Sequence, residues 1–190
     1  MKEPWIIMSP GYLFSRYYKN KIDGLEKSIR SKILKRYLKI LNKINLYISV
    51  IVSSLFLASF SFLESHIYLL LSGFITFRFI SRVLEIIFSF TNDVLSKTNK
   101  SNLTKHDRIK LAAYSYIELF FIMAPVYIIN GTASNSLVAI SMSLSVGTLT
   151  NIGLVVTNNS PVYANIAFVQ VFATMSLVIF SLAMYLSREK

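Results

Sequence analysis

The chain contains no cysteine. That excludes disulfides, thiolate metal sites and cysteine nucleophiles, and leaves the compartment undetermined. Acidic residues are scarce, with nine Asp and Glu against twenty Lys and Arg and a formal net charge of +11. The two histidines, His66 and His106, lie far apart in loops, so no metal site is expected. No Ser-His-Asp set, no carboxylate pair suited to a pocket and no phosphate-cradling glycine loop is present. The chain is therefore not read as an enzyme, and no cofactor is expected. Charge of either sign is thin, at 15% of 190 residues against 54% hydrophobic. A soluble domain carries more charge and spaces its apolar residues out.

What is present is a set of apolar blocks long enough to cross a bilayer, which takes about 20 residues as a helix. Leu46–Leu63 and Asn165–Leu186 are near-continuous. Ile67–Phe90 carries Arg78, Arg82 and Glu85, and Leu111–Ile129 carries Glu118. A fifth stretch, Ser136–Thr157, is more mixed. The first block starts behind a long basic segment, which does not fit a secretory signal.

Basic residues are placed unevenly. Eleven fall between Lys2 and Lys43, five between Lys97 and Lys110, and the tail adds Arg188 and Lys190. The connections 64–66, 130–135 and 158–161 hold none. The positive-inside rule then sets both termini and the middle loop in the cytoplasm of a plasma or inner membrane, which requires an even number of crossings. Four spans and one re-entrant segment satisfy it; five spans would leave Arg188 and Lys190 outside. The basic bias thus has a membrane explanation, and no nucleic-acid partner is expected. The expected organisation is a basic cytoplasmic or interfacial segment over 1–45, two accessory spans over 46–90, a cytoplasmic loop over 91–110 and a third unit over 111–190. Within the first, Leu25, Ile29, Ile33, Tyr37, Ile40 and Ile44 recur at helical spacing beside Lys32, Lys35, Arg36, Lys39 and Lys43. This suits a basic amphipathic helix lying on anionic lipids, or else a helix that extends the first span into water.

The mixed stretch changes character along its length. Ser136 to Val146 is helical, with Ser134 or Asn135 as cap. Gly147, Thr148, Thr150, Asn151, Ile152, Gly153, Val155, Val156 and Thr157 make a poor helix. Ser160–Pro161 reads as a fresh helix start. A half-helix, an extended piece and a new helix describe a re-entrant loop, and such backbone survives at membrane depth only when packed in protein or lining water. The competing reading is an ordinary fifth span, with Ala139, Ser141 and Ser145 as small packing residues.

Thr148-Leu149-Thr150-Asn151-Ile152-Gly153 resembles the filter signature of tetrameric potassium channels, Thr-x-Thr-Thr-Val-Gly-Tyr-Gly-Asp. With Leu111–Ile129 as outer helix and the last block as inner helix, the resemblance covers roughly residues 110–188. It implies an all-α integral membrane homotetramer of four spans per subunit plus a pore helix and filter loop. It further implies that Thr150, Asn151, Ile152, Gly153 and Leu154 form the filter for a permeant monovalent cation, potassium or sodium. Phe172, Ser176, Ile179 and Ala183, at three- and four-residue spacing, would line the inner cavity. The departures are specific. Val155 stands at the second glycine, Val156 at the aspartate, Asn151 at the innermost threonine and Leu154 at the tyrosine. They point to weak or altered selectivity. A non-conducting scaffold with the same architecture, and a small transporter, are the alternatives.

Arg78, Arg82 and Glu85 share one face of the second block. Counted from Lys110, Glu118 rises about 12 Å, and Arg82 lies at a similar depth below Phe90. A buried pair of Glu118 with Arg82 or Arg78 is expected; two arginines four apart are too few for a voltage sensor.

Overall fold

A computed structural model describes residues 13, 17–18, 20–22, 24–95, 103–153 and 161–178, and among them every regular element is helical. The elements are α1 (Lys27–Ser59), a single tight turn at Phe60–Phe62, α2 (Ser65–Leu95), α3 (Lys105–Ile129), α4 (Ser136–Gly147) and α5 (Pro161–Met175). Three helices are long and apolar enough to cross a membrane: Lys27–Phe62, Ser65–Ser89 and Lys105–Ile129. Their outward faces are apolar too, with Ile51, Leu55, Leu69 and Leu70 exposed and Phe62 87% exposed. Water would penalise such a surface and lipid would not.

No glycine or proline interrupts the chain from Lys27 to Ser59, and α1 runs straight through the boundary expected at residue 45. Its basic part is an extension of the span, not a separate helix laid flat. Lys35 and Lys39 hold it there, 2.7 and 2.5 Å from the Asp107 carboxylate in the first turn of α3. Asp107 also caps α3. Its carboxylate accepts from the Thr104 N–H while the Thr104 hydroxyl accepts from the Asp107 N–H. The loop expected over 91–110 is shorter, because α2 continues to Leu95 and α3 starts at Lys105.

Side-chain bonds fix the directions. Asn42 donates to the Leu111 carbonyl and Ser49 to Glu118, each across 69 residues. A constant offset over two turns means that α1 and α3 run parallel and in register. The Ser136 hydroxyl closes the far end on the Leu57 carbonyl. α2 runs against both: the Tyr68 ring lies 5.9 Å from that of Phe56 at one end, while Arg78 reaches the Asn45 carbonyl further down. α3 is the centre of the bundle, touching all four other helices. Leu119, Met123 and Tyr127 on it are fully buried.

Candidate functional site

α4 is twelve residues long, about 18 Å, roughly half of what a bilayer core needs. The Asn135 side chain caps its start by accepting from the Val138 N–H. Ala139, Ser143 and Gly147 recur every fourth residue and are all buried, so the helix lies close on α3 along this small face. Packing uses this set; Ser141 is exposed and Ser145 is half-buried. The Ser143 hydroxyl donates to the Phe120 carbonyl at 2.7 Å, and the Tyr116 hydroxyl donates to the Gly147 carbonyl at 3.0 Å. Tyr116 sits midway between Lys105 and Ile129. α4 therefore ends halfway along α3.

A cap closes that end. The Thr150 N–H donates to the Ser145 carbonyl and the Leu149 N–H to the Val146 carbonyl, with Leu149 at φ 61°. This pair of bonds around a left-handed residue is the Schellman arrangement. The extended run expected over 148–153 is replaced by this turn, and Ile152 and Gly153 begin a new helical turn. The cap wins because it fills carbonyls that the helix end would otherwise leave open. The positive φ of this turn falls on Leu149 and not on Gly153. Thr148, Thr150, Asn151 and Gly153 are exposed, and Ile152 is half-buried. The Thr148 hydroxyl donates to the Leu144 carbonyl, and the Thr150 hydroxyl to that of Ser145. The two hydroxyl oxygens lie 3.0 Å apart. At that distance either hydroxyl can donate to the other. Leu154 lies outside the described residues.

Of the inner-cavity set, only Phe172 and Ser176 fall among the described residues. Phe172 is 61% exposed, whereas Ser176 is 5% exposed and donates its hydroxyl back to the Phe172 carbonyl. The helix widens over 176–178, which shifts the register that regular spacing assumes. The open face of α5 is instead Asn165, Phe168, Phe172 and Met175. Ile179 and Ala183 lie outside the described residues.

On the opposite side of α3 the intramembrane charges meet. Glu118, with 0% exposure, accepts from Arg82 Nε at 2.8 Å and Nη2 at 2.6 Å. This two-point fork is the strong geometry for a guanidinium and a carboxylate. Arg82 Nη1 reaches Glu85 at 2.6 Å, Arg78 Nη2 stands 3.5 Å from Glu118, and Ser49 bridges the two. Two cations and two anions cancel, leaving Arg78 Nε without a partner.

Sequence reasoning missed a second buried network. Gln170, at 0% exposure, donates from Nε2 to the Ser143 carbonyl and accepts from the Tyr127 hydroxyl, both at 2.8 Å. Its signal was available: it is the one carboxamide in the apolar run between Asn165 and Leu186. Among the described residues, no cluster of acidic and histidine side chains could hold a metal ion. Comparison with family models, curated proteins and solved structures finds no match to this chain.

Proposed function

We propose that the chain is one subunit of a homotetrameric membrane pore of the potassium-channel type, conducting monovalent cations with weak selectivity. The observation that carries this is the short helix α4, which ends halfway along the membrane-length helix α3 in an exposed polar turn. Polar backbone and side chains at that depth require surrounding protein or water. Four copies around an axis supply both, making α4 the re-entrant element among four spans. The C-terminal end of α4 carries partial negative charge and favours a cation beside it.

The weak selectivity follows from what the turn offers. Thr148, Thr150 and Asn151 present hydroxyl and amide oxygens, and no column of backbone carbonyls runs through 148–153. Side-chain oxygens can hold an ion that keeps part of its water, which discriminates little between potassium and sodium. The shared end of α1 and α3, with Lys35, Lys39 and Lys43, is the cytoplasmic one under the positive-inside rule. Exposed Lys32, Arg36 and Lys43 would meet anionic lipid there.

In planar bilayers with potassium on one side and sodium on the other, the expected reversal potential is near zero. A reversal close to the potassium equilibrium value would refute weak selectivity. One observation favours a second reading, a non-conducting scaffold. The Leu144, Ser145 and Val146 carbonyls are all occupied by the turn's own N–H and hydroxyl groups. Disulfide linkage of Asn151→Cys between subunits, with no current at any voltage, would put the scaffold first. Absence of that linkage in an intact oligomer would sink both.

A further inference from the structure

Gln170 stands where α3, α4 and α5 meet. It lies at the centre of the buried face of α5, between Ala167 and Ala173, with Leu177 below. Its acceptor takes the Tyr127 hydroxyl from α3, and its donor goes to the Ser143 carbonyl of α4. That carbonyl has a second lone pair to give, since inside a helix the first serves the ladder. Beside it, Gly147 has no room for a Cβ, which would run into the Phe120 ring and come within 3.0 Å of Gln170 Nε2. The Ser143 hydroxyl holds the Phe120 carbonyl on the same turn. The last turn of α4 is thus enclosed on one side by Phe120 and on the other by the carboxamide.

We propose that Gln170 is the positioning residue that sets the depth of the polar turn 148–151, by pinning α4 to α5 through the Ser143 carbonyl. Two hydroxyl bonds, Ser143 to the Phe120 carbonyl and Tyr116 to the Gly147 carbonyl, already resist sliding along α3, but both run to that one helix and leave α4 free to shift relative to α5. A directional bond from a neighbouring helix does not slide. The Tyr127 bond serves another purpose. It fills the carboxamide oxygen, so that burying Gln170 leaves nothing unpaired. Why the turn's depth matters rests on the proposed pore, but the pinning itself does not.

The test uses the absence of cysteine in the chain. Spin labels are placed at Phe62→Cys and Asn151→Cys, both exposed, with labelled subunits diluted among unlabelled ones. The interlabel distance distribution is then read by pulsed electron resonance in detergent. The parent should give one narrow peak. Gln170→Met, similar in length and unbranched, should at least double its width or shift its maximum, while Tyr127→Phe alone should leave it narrow. The double variant Tyr127→Phe/Gln170→Met removes both partners, so no unpaired group stays buried. It should regain thermal stability but not the narrow peak. That split separates positioning from simple structural support. If Gln170→Met does not fold, the double variant decides. A parent-like narrow peak in the double variant would overturn the proposal, whether or not current is seen in bilayers.

Discussion

On the side of α3 that meets α1 and α2, the bonded polar groups at the depth of Glu118 include two arginines and two glutamates. On the side that meets α4 and α5, they are a carboxamide, two phenols and a serine. Both sets pack against one helix, yet they solve different problems. Long charged side chains reach across a gap between helices and tolerate distance. Short neutral groups let backbones come close, and Ala139, Ser143 and Gly147 provide the close approach. α2 is thus tied to α3 through charge, and the half-helix is held by fit. Ions lock hard but punish the loss of one partner; neutral bonds cost less to lose and rely on packing around them.

Breaking the charged side should have the largest effect. Glu118→Gln strands Arg82 and Arg78 against Glu85 alone and should cost about 3–5 kcal/mol. Combining it with Arg82→Gln should cost less than the single change, measured by unfolding in mixed detergent. Simple additivity would dissolve the distinction between the two sides. On the neutral side, Gly147→Ala pushes a methyl into the Phe120 ring and should cost about 1–3 kcal/mol. A cost near zero would mean that fit is not what holds α4.

The smallest effect concerns the helix ends. α3 ends on Gly131 at φ 70°, with the Thr132 N–H donating to the Tyr127 carbonyl and the Gly131 N–H to that of Ile128. α4 ends in the same way on Leu149, where a Cβ makes the left-handed region unfavourable by about 1–2 kcal/mol. Leu149→Gly should therefore stabilise the protein by about 1 kcal/mol. Gly131→Ala should destabilise it by a similar amount. A loss of stability on Leu149→Gly would show that the leucine side chain is held by something beyond its own turn.

Charge inside an apolar block is conspicuous, and helix rise converts sequence position to depth. Glu118 and Arg82 therefore draw attention from the sequence alone, since each residue advances a helix by about 1.5 Å. The three long helices were legible for the same reason. Gln170 stands out as the one carboxamide in its apolar run, but its partners were not legible, because a single polar residue there gives no second position and no period. The end of α4 was misread in a more instructive way. Gly147 and the β-branched residues after it suggested extended backbone, as intrinsic propensity would have it. The carbonyls of Leu144, Ser145 and Val146 needed donors, and the nearest were the N–H and hydroxyl groups of 148–150. Local satisfaction overrode propensity. The wider turn at 176–178 was not legible, because regular spacing cannot register it.

The bidentate pair has a consequence during synthesis. Arg82 and Glu118 are 36 residues apart, so at ordinary ribosome speeds roughly 2–7 s pass before the carboxylate follows the guanidinium out. For that interval α2 must enter the membrane without α3. Glu85, three residues along the same helix, is already beside Arg82 and can neutralise it from the moment the helix forms. Glu85 is thus expected to matter more for entry, as a travelling counter-ion, than for the finished fold. Glu85→Gln should reduce the fraction of nascent chains whose second helix inserts, scored by glycosylation of an acceptor site placed after Leu95, while mature protein loses less stability than with Glu118→Gln. Equal insertion of both variants would leave Glu85 with no part in the passage of α2 into lipid.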